Sequence, residues 1–152
     1  MAMDSFSASL MADKREIIFA PTVYKFQTFA QMAEEFQLNE RDVVLTNEFI
    51  YTPFMKELGL KCSFVFQEKF GAGEPSEAMI QIVYDAIPYD SYDRVIAVGG
   101  GAIMDLCKLL GCKRPDSVHE LYYKRFPVVH EKDVIAIPTT CGTGSECTNI
   151  SV

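Results

Sequence analysis

Four short apolar runs constrain this chain most: VVLT (43–46), SFVF (63–66), RVIAV (94–98) and VIAI (134–137). They are continuous rather than alternating, which suits strands buried on both faces, as in a parallel sheet. Helical patterns separate them. Phe26, Phe29, Ala30, Ala33 and Phe36 predict a helix before the first run. Phe54, Met55 and Leu58 fit a second, with Pro53 in its first turn. Met79, Ile82, Val83 and Ala86 fit a third at i, i+3, i+4 and i+7, and Ile103, Leu106, Cys107 and Leu110 a fourth. Residues 111–132 are more polar and read as a short helix and a loop. Parallel strands need crossovers of this length, and such crossovers are right-handed. The expectation is an open, mainly parallel α/β sheet with helices on both faces.

The third run leads directly into Gly99, Gly100 and Gly101. In an open α/β sheet, ligands bind beyond the carboxyl ends of the strands. Glycine permits φ > 0 there and lets a ligand approach the backbone. The helix that follows offers unpaired N–H groups and the positive end of its dipole, a site for phosphate. A tight turn without a ligand is the plain alternative; three consecutive glycines after a buried strand favour an anion or nucleotide. The ordinary dinucleotide fingerprint is not met, because Met104 occupies its third glycine position. His119 and Glu120 stand where the distal acid is expected, in a polar segment and not at a strand end. The phosphate-loop pattern with its Gly-Lys-Ser/Thr ending is also absent.

The fourth run ends at Pro138 and continues as TTCGTGSE. Gly142 and Gly144 allow close approach, and Thr139, Thr140, Thr143, Ser145 and Thr148 bring hydroxyls that donate to phosphate or ribose. A Ser/Thr-rich turn with an N-cap explains the same residues. Ser145 lacks the flanking glycines of a nucleophile elbow, since Thr143 and Cys147 stand there. Cys141 as a nucleophile needs a placed histidine, and the spacing of His119 and His130 provides none. Asp105 and Lys108, three apart on the glycine-loop helix, read from spacing alone as a solvated ion pair.

Composition excludes other classes. The 152 residues carry a net charge of −7, which argues against a nucleic-acid surface. No apolar run approaches the ~20 residues that span a bilayer, so no membrane association is expected. Residues 1–16 lack an apolar signal core and read as a flexible N-terminal extension, with Asp4 and Asp13 against a transit peptide. The five cysteines form no C-x-x-C pair, as suits reduced thiols in a cytoplasmic protein. Neither histidine is spaced with them as a zinc ligand.

GGGAIMDLCK and PTTCGTGSE together resemble the iron-containing alcohol dehydrogenase family, whose pattern is GGGS-x-x-D-x-A-K followed by PTT-x-GTGSE. LTNEFIY and VFQEKFGAGEPSEAMI resemble its earlier segments, so the resemblance covers about residues 17–152. It implies a Rossmann-like dinucleotide-binding domain over 17–152, cut short at its C-terminal end, with the family's helical metal-binding domain absent. By resemblance, Gly99, Gly100 and Gly101 take the cofactor pyrophosphate. Thr139, Thr140, Thr143, Ser145 and Thr148 line the adenine, ribose and nicotinamide path, and Asp105 matches the family's aspartate. Ala102 replaces a serine and removes one hydroxyl from the phosphate loop; Cys107 replaces an alanine. Asn47 stands where many NAD-using members carry an aspartate. With Glu48 adjacent and no arginine close after it, NAD is favoured over NADP.

Within the family, the whole run resembles the branch acting on 4-hydroxybutyrate. The implied activity is hydride transfer between a primary alcohol, here 4-hydroxybutyrate with succinic semialdehyde, and NAD. The divalent iron or zinc belongs to the missing domain, so no metal ligand and no catalytic residue is assigned in this chain. The chain alone is expected to be inactive, and the full-length protein to be a homo-oligomer. The rival reading is a non-catalytic nucleotide-binding module.

Overall fold

The computed structural model describes residues 21–71, 73–123 and 127–148; the expected N-terminal extension and the last four residues lie outside them. In chain order the elements are α1 (Phe29–Glu35), β1 (Asp42–Thr46), α2 (Glu48–Phe54), β2 (Ser63–Phe66), α3 (Glu77–Ala86), β3 (Arg94–Gly99), α4 (Gly101–Leu110), α5 (Val118–Tyr122) and β4 (Asp133–Pro138). Short 3₁₀ turns follow α2 (Lys56–Leu58), β2 (Gln67–Lys69), α3 (Tyr89–Ser91) and β4 (Ser145–Cys147). The sheet order is β2-β1-β3-β4, and every pairing is parallel.

Alternation along each strand splits the core in two. Val43, Leu45, Val95 and Ala97 pack on one face against α3 (Met79, Ile80, Val83, Tyr84), α4 (Ile103, Met104, Leu106, Cys107, Leu110) and Val118. Val44, Ile96 and Val98 pack on the other against Met32 of α1, Ile50 of α2, Met55 and Cys62. Helices thus cover both faces, as the continuous apolar runs require. Each fully buried Leu or Ile contributes about 1.5–3 kcal/mol. At the N-terminal end of the strands, Arg94 clamps Asp42 through two hydrogen bonds of 2.7 and 2.8 Å and donates to Phe36 O at 2.9 Å. That clamp aligns β1 with β3 and so fixes how their opposite ends meet.

Several expectations are corrected. β1 is buried throughout and β3 from Val95 on; β2 and β4 are the edges of the described sheet, and their residues are half-buried or exposed. An apolar run marks a strand without saying whether both its sides are paired. The second helix begins at Glu48, so Pro53 lies near its end and not in its first turn. Its missing N–H removes only one late hydrogen bond, and the helix stops one residue later. Phe54 and Leu58 are exposed, leaving Met55 as the buried member of that trio. In α3 the inward face is Met79, Ile80, Val83 and Tyr84, while Ile82 and Ala86 are exposed. The first helix starts after its N-cap Thr28, and Phe26 precedes it while packing on the same cluster. Among the described residues no helix is long and apolar enough to cross a membrane.

Candidate functional site

The C-terminal ends of the four strands form one edge, and the register says what shares it. Gly99 pairs with Pro138, and Thr46 pairs with Phe66. Thr46 Oγ1 donates to Val98 O at 2.9 Å, which ties the end of β1 to that of β3. The residues just beyond each strand therefore stand in a row: Gln67, Asn47, Gly100 and Thr139.

At the β3–α4 junction the glycines act through space, not through backbone sign. None of Gly99, Gly100 and Gly101 has a positive φ, which corrects that part of the expectation. A Cβ on Gly99 would collide with the Ile103 side chain; one on Gly100 would lie 3.4 Å from Thr140 Oγ1; one on Gly101 would lie 3.2 Å from Ser145 Oγ and 3.4 Å from Thr143 Cγ2. Bare backbone here lets the second motif close over the first. Thr139 N–H donates to Gly99 O at 3.0 Å, which joins the two loops directly. Gly100 is the N-cap of α4 and no side chain caps it. The N–H groups of Gly101, Ala102 and Ile103 have no partner within the helix, and the positive end of its dipole faces the same edge.

The second motif does need unusual backbone: Gly142 and Gly144 have φ of 114° and 66°. Gly144 lets the chain reverse into the short turn Ser145–Cys147, where Cys147 N–H donates to Gly144 O at 2.9 Å. Thr139, Thr140 and Thr143 are exposed, and Ser145 is half-buried beside Gly101. Glu146 has one carboxylate oxygen buried without a hydrogen-bond partner.

Asp105 and Lys108 are paired at 2.9 Å, but the pair is not the solvated one expected, since both side chains are less than 15% exposed. Lys108 Nζ also donates to Thr148 Oγ1 at 3.3 Å, so the pair anchors the end of the second motif to α4. Cys107 is fully buried, in keeping with an alanine-sized site in a packed helix.

Asn47 sits at the same edge but touches other residues. Its Nδ2 donates to Glu68 Oε2 at 2.8 Å and to Gln67 Oε1 at 3.3 Å. Glu68 Oε1 accepts from Glu48 N–H at 2.6 Å. Burial works against charge on Glu68, but the hydrogen bonds from Glu48 N–H, its own N–H and Asn47, with Lys69 nearby, win and hold it below its ordinary range. Gln67 and Glu68 were missed by sequence reasoning. The available signal was an acid directly after the second strand of a βαβ unit, 21 residues beyond Asn47.

The two histidines stand apart from this edge's loops. His119 Nδ1 lies 3.1 Å from Glu77 and its ring packs on Tyr123; His130 forms a bridge with Cys112 ahead of β4. Among the described residues no three His, Cys, Asp or Glu side chains are grouped to hold a metal ion. A shallow surface hollow lined by Phe26, Gln31, Glu34, Glu35 and Gln37 shares no residue with the strand-end site.

Comparison with known proteins bears on the family and the fold. A model of the iron-containing alcohol dehydrogenase family matches residues 20–152. The chain is 46% identical over 133 residues to a 4-hydroxybutyrate dehydrogenase of Clostridium kluyveri, covering 88% of this chain and 36% of that protein. It is 37% identical over 87 residues to the human mitochondrial hydroxyacid-oxoacid transhydrogenase, covering 52% of this chain and 19% of that one. An iron-containing alcohol dehydrogenase from Thermotoga maritima superposes with a TM-score of 0.65 at 27% identity, over 88% of this chain and 40% of that one. A sulfoacetaldehyde reductase from Bifidobacterium kashiwanohense, solved in complex with NAD+, shares the fold, with a TM-score of 0.64 at 22% identity over 87% of this chain and 40% of that one. The chain therefore spans well under half the length of these relatives.

Proposed function

Because the chain belongs to the iron-containing alcohol dehydrogenase family, we propose that it holds NAD for hydride transfer to and from a small alcohol. The observation that carries this reading is the cradle at Gly100 and Gly101. The uncapped start of α4 opens there, where a Cβ on Gly101 would crowd Ser145 and one on Gly100 would touch Thr140. A pyrophosphate fits such a place, because it needs donors and close backbone approach and it carries the charge the helix end favours.

The bound dinucleotide supplies the hydride acceptor and donor, and the chain's own residues bind and orient it. The N–H groups of Gly101, Ala102 and Ile103 hold the pyrophosphate oxygens. Hydroxyls of Thr139, Thr140, Thr143, Ser145 and Thr148 line the path of the adenine, ribose and nicotinamide parts. Asp105, through Lys108 and Thr148, keeps the second loop seated on α4. The metal is a different matter. The described residues do not fit one, so no step through a metal is assigned to them. The substrate pair we propose is 4-hydroxybutyrate and succinic semialdehyde, on the strength of the 46% identity to the Clostridium enzyme. We place the protein in the cytoplasm, as part of a homo-oligomer.

The test is NADH titration of the 152-residue chain, followed by nicotinamide fluorescence, for the parent and Gly101→Val. Parent binding that weakens at least tenfold in the variant, with unchanged circular dichroism, is the expected result. Equal binding by both would remove the glycine cradle from the site, and no binding by the parent would overturn the cofactor reading. The same sample is expected to form no NADH from 4-hydroxybutyrate.

A further inference from the structure

The first residue after β1, Asn47, is neutral, yet the structure puts the Glu68 carboxylate against it. Thr46 pairs with Phe66, so the residues after β1 and β2 emerge side by side. Gln67 is buried and donates to Gly71 O at 3.0 Å, which fixes the turn after β2. Glu68, next in sequence, is exposed at the strand-end edge. One of its oxygens accepts from Asn47 Nδ2 and the other from Glu48 N–H. An ionised carboxylate has about four acceptor positions; Asn47, Glu48 N–H and its own N–H take three, which leaves one for a ligand. Because its donation to Glu68 fixes the Asn47 amide, Asn47 Oδ1 is oriented as a further acceptor.

We propose that Glu68, held in place by Asn47 and Glu48, selects the cofactor: it accepts a hydrogen bond from the adenosine ribose hydroxyls and repels a 2′-phosphate. The inference rests on the dinucleotide reading above and adds the choice between NAD and NADP. In open α/β sheets an acid off a strand end bonds the ribose hydroxyl of NAD, whereas 2′-phosphate recognition uses a nearby arginine. Here the negative charge stands at the end of β2 and is presented beside β1 by the Asn47 amide. Lys69, the adjacent cation, has its ammonium 5.0 Å from the centre of the Phe66 ring, an attraction that competes with phosphate for it.

The experiment compares NADH and NADPH affinities of the 152-residue chain by fluorescence titration, for the parent, Glu68→Gln and the double variant Asn47→Asp with Glu68→Gln. Glutamine keeps the oxygen that accepts from Glu48 N–H, so the turn survives while the charge is lost. The parent is expected to bind NADH at least tenfold tighter than NADPH. Glu68→Gln is expected to narrow that ratio at least fivefold, mainly by gaining NADPH affinity, and the double variant to restore it. A Glu68→Gln ratio equal to the parent's, with both cofactors still bound, would overturn this inference and leave the dinucleotide reading intact. A parent that prefers NADPH would overturn it too and point to Lys69 as the dominant charge. A parent that binds neither cofactor would instead sink the dinucleotide reading on which it rests.

Discussion

The β3–α4 junction and the loop after β4 are both glycine motifs at the same sheet edge, but they use glycine for opposite reasons. At the junction the backbone is ordinary and space is short: Val95–Gly99 and Ile103–Cys107 are buried, and a Cβ at Gly99 would strike Ile103. In the loop, space is free and the backbone is unusual: a Cβ on Gly142 or Gly144 meets nothing within 4 Å, yet both have positive φ. The first is a rigid platform whose N–H groups are fixed before any ligand arrives. The second is a more exposed strap, held by Thr139 N–H on Gly99 O and by Lys108 on Thr148 Oγ1, with Thr139 and Thr140 exposed. Preorganised donors on one side and adaptable ones on the other suit a ligand whose anionic centre is constant and whose ends must be accommodated.

Thiol labelling gives the largest contrast between the two regions. Cys62, Cys107 and Cys112 are buried, whereas Cys141 and Cys147, both in the strap, are exposed. Burial also pushes the Cys62 thiol up to about 11, with Asp42 adding to the effect, and raises Cys107 and Cys112 in the same direction. Reaction of the buried thiols requires opening of the fold, which lowers their rate by a factor of roughly 10³ or more. Two thiols are expected to react fast with an aromatic disulfide reagent and three only after denaturation. Saturating NADH is expected to slow Cys141 in the strap. Fast reaction of Cys107, which lies within α4, would show that the α4 platform is not the rigid half.

Substitution at Gly99 probes the platform itself. Gly99→Ala forces Ile103, whose Cβ and Cγ1 would both lie 3.2 Å from the new methyl, to shift within a packed core. Overpacking of this kind costs about 1–3 kcal/mol, readable as a lower urea midpoint. Gly144→Ala tests the strap and has a smaller cost of about 1 kcal/mol, because its φ of 66° is left-handed while nothing crowds the methyl. If Gly144→Ala proves the more damaging of the two, space is not what the junction glycine provides.

Much of this contrast was legible in the chain. The four strands and the strand-to-helix switch at the glycines follow from continuous apolar runs and helical spacing. Which runs form edges was not legible, since β4 reads as apolar as β3 while its residues are half-buried or exposed. The geometry of Asp105 and Lys108 also escaped. Their spacing fits a solvated pair equally well, and only the packing of the second loop on α4 buries them. The Asn47–Glu68 contact depends on the register between β1 and β2, which brings residues 21 apart together; the spacing of the acid was visible in the chain, but its partner was not.

The smallest effect concerns the charge at that contact. Glu68 is held below the ordinary carboxylate range by hydrogen bonds to its charged form, which outweigh the cost of burial. A depressed native pKa means that the folded state gains stability from ionised Glu68 above the unfolded value of about 4.3. That gain fades as pH falls through the lower native value. Because Glu68 is exposed, it amounts to less than about 1 kcal/mol. Paired thermal melts of the parent and Glu68→Gln should differ slightly at neutral pH, and the difference should close in acid. A gap that persists in acid would assign the effect to shape and not to charge. The sign also bears on selectivity: a carboxylate that ionises this readily stays charged across the neutral range, so the preference for NADH over NADPH should hardly change between about pH 6 and 8, whereas a histidine-based selector would titrate there.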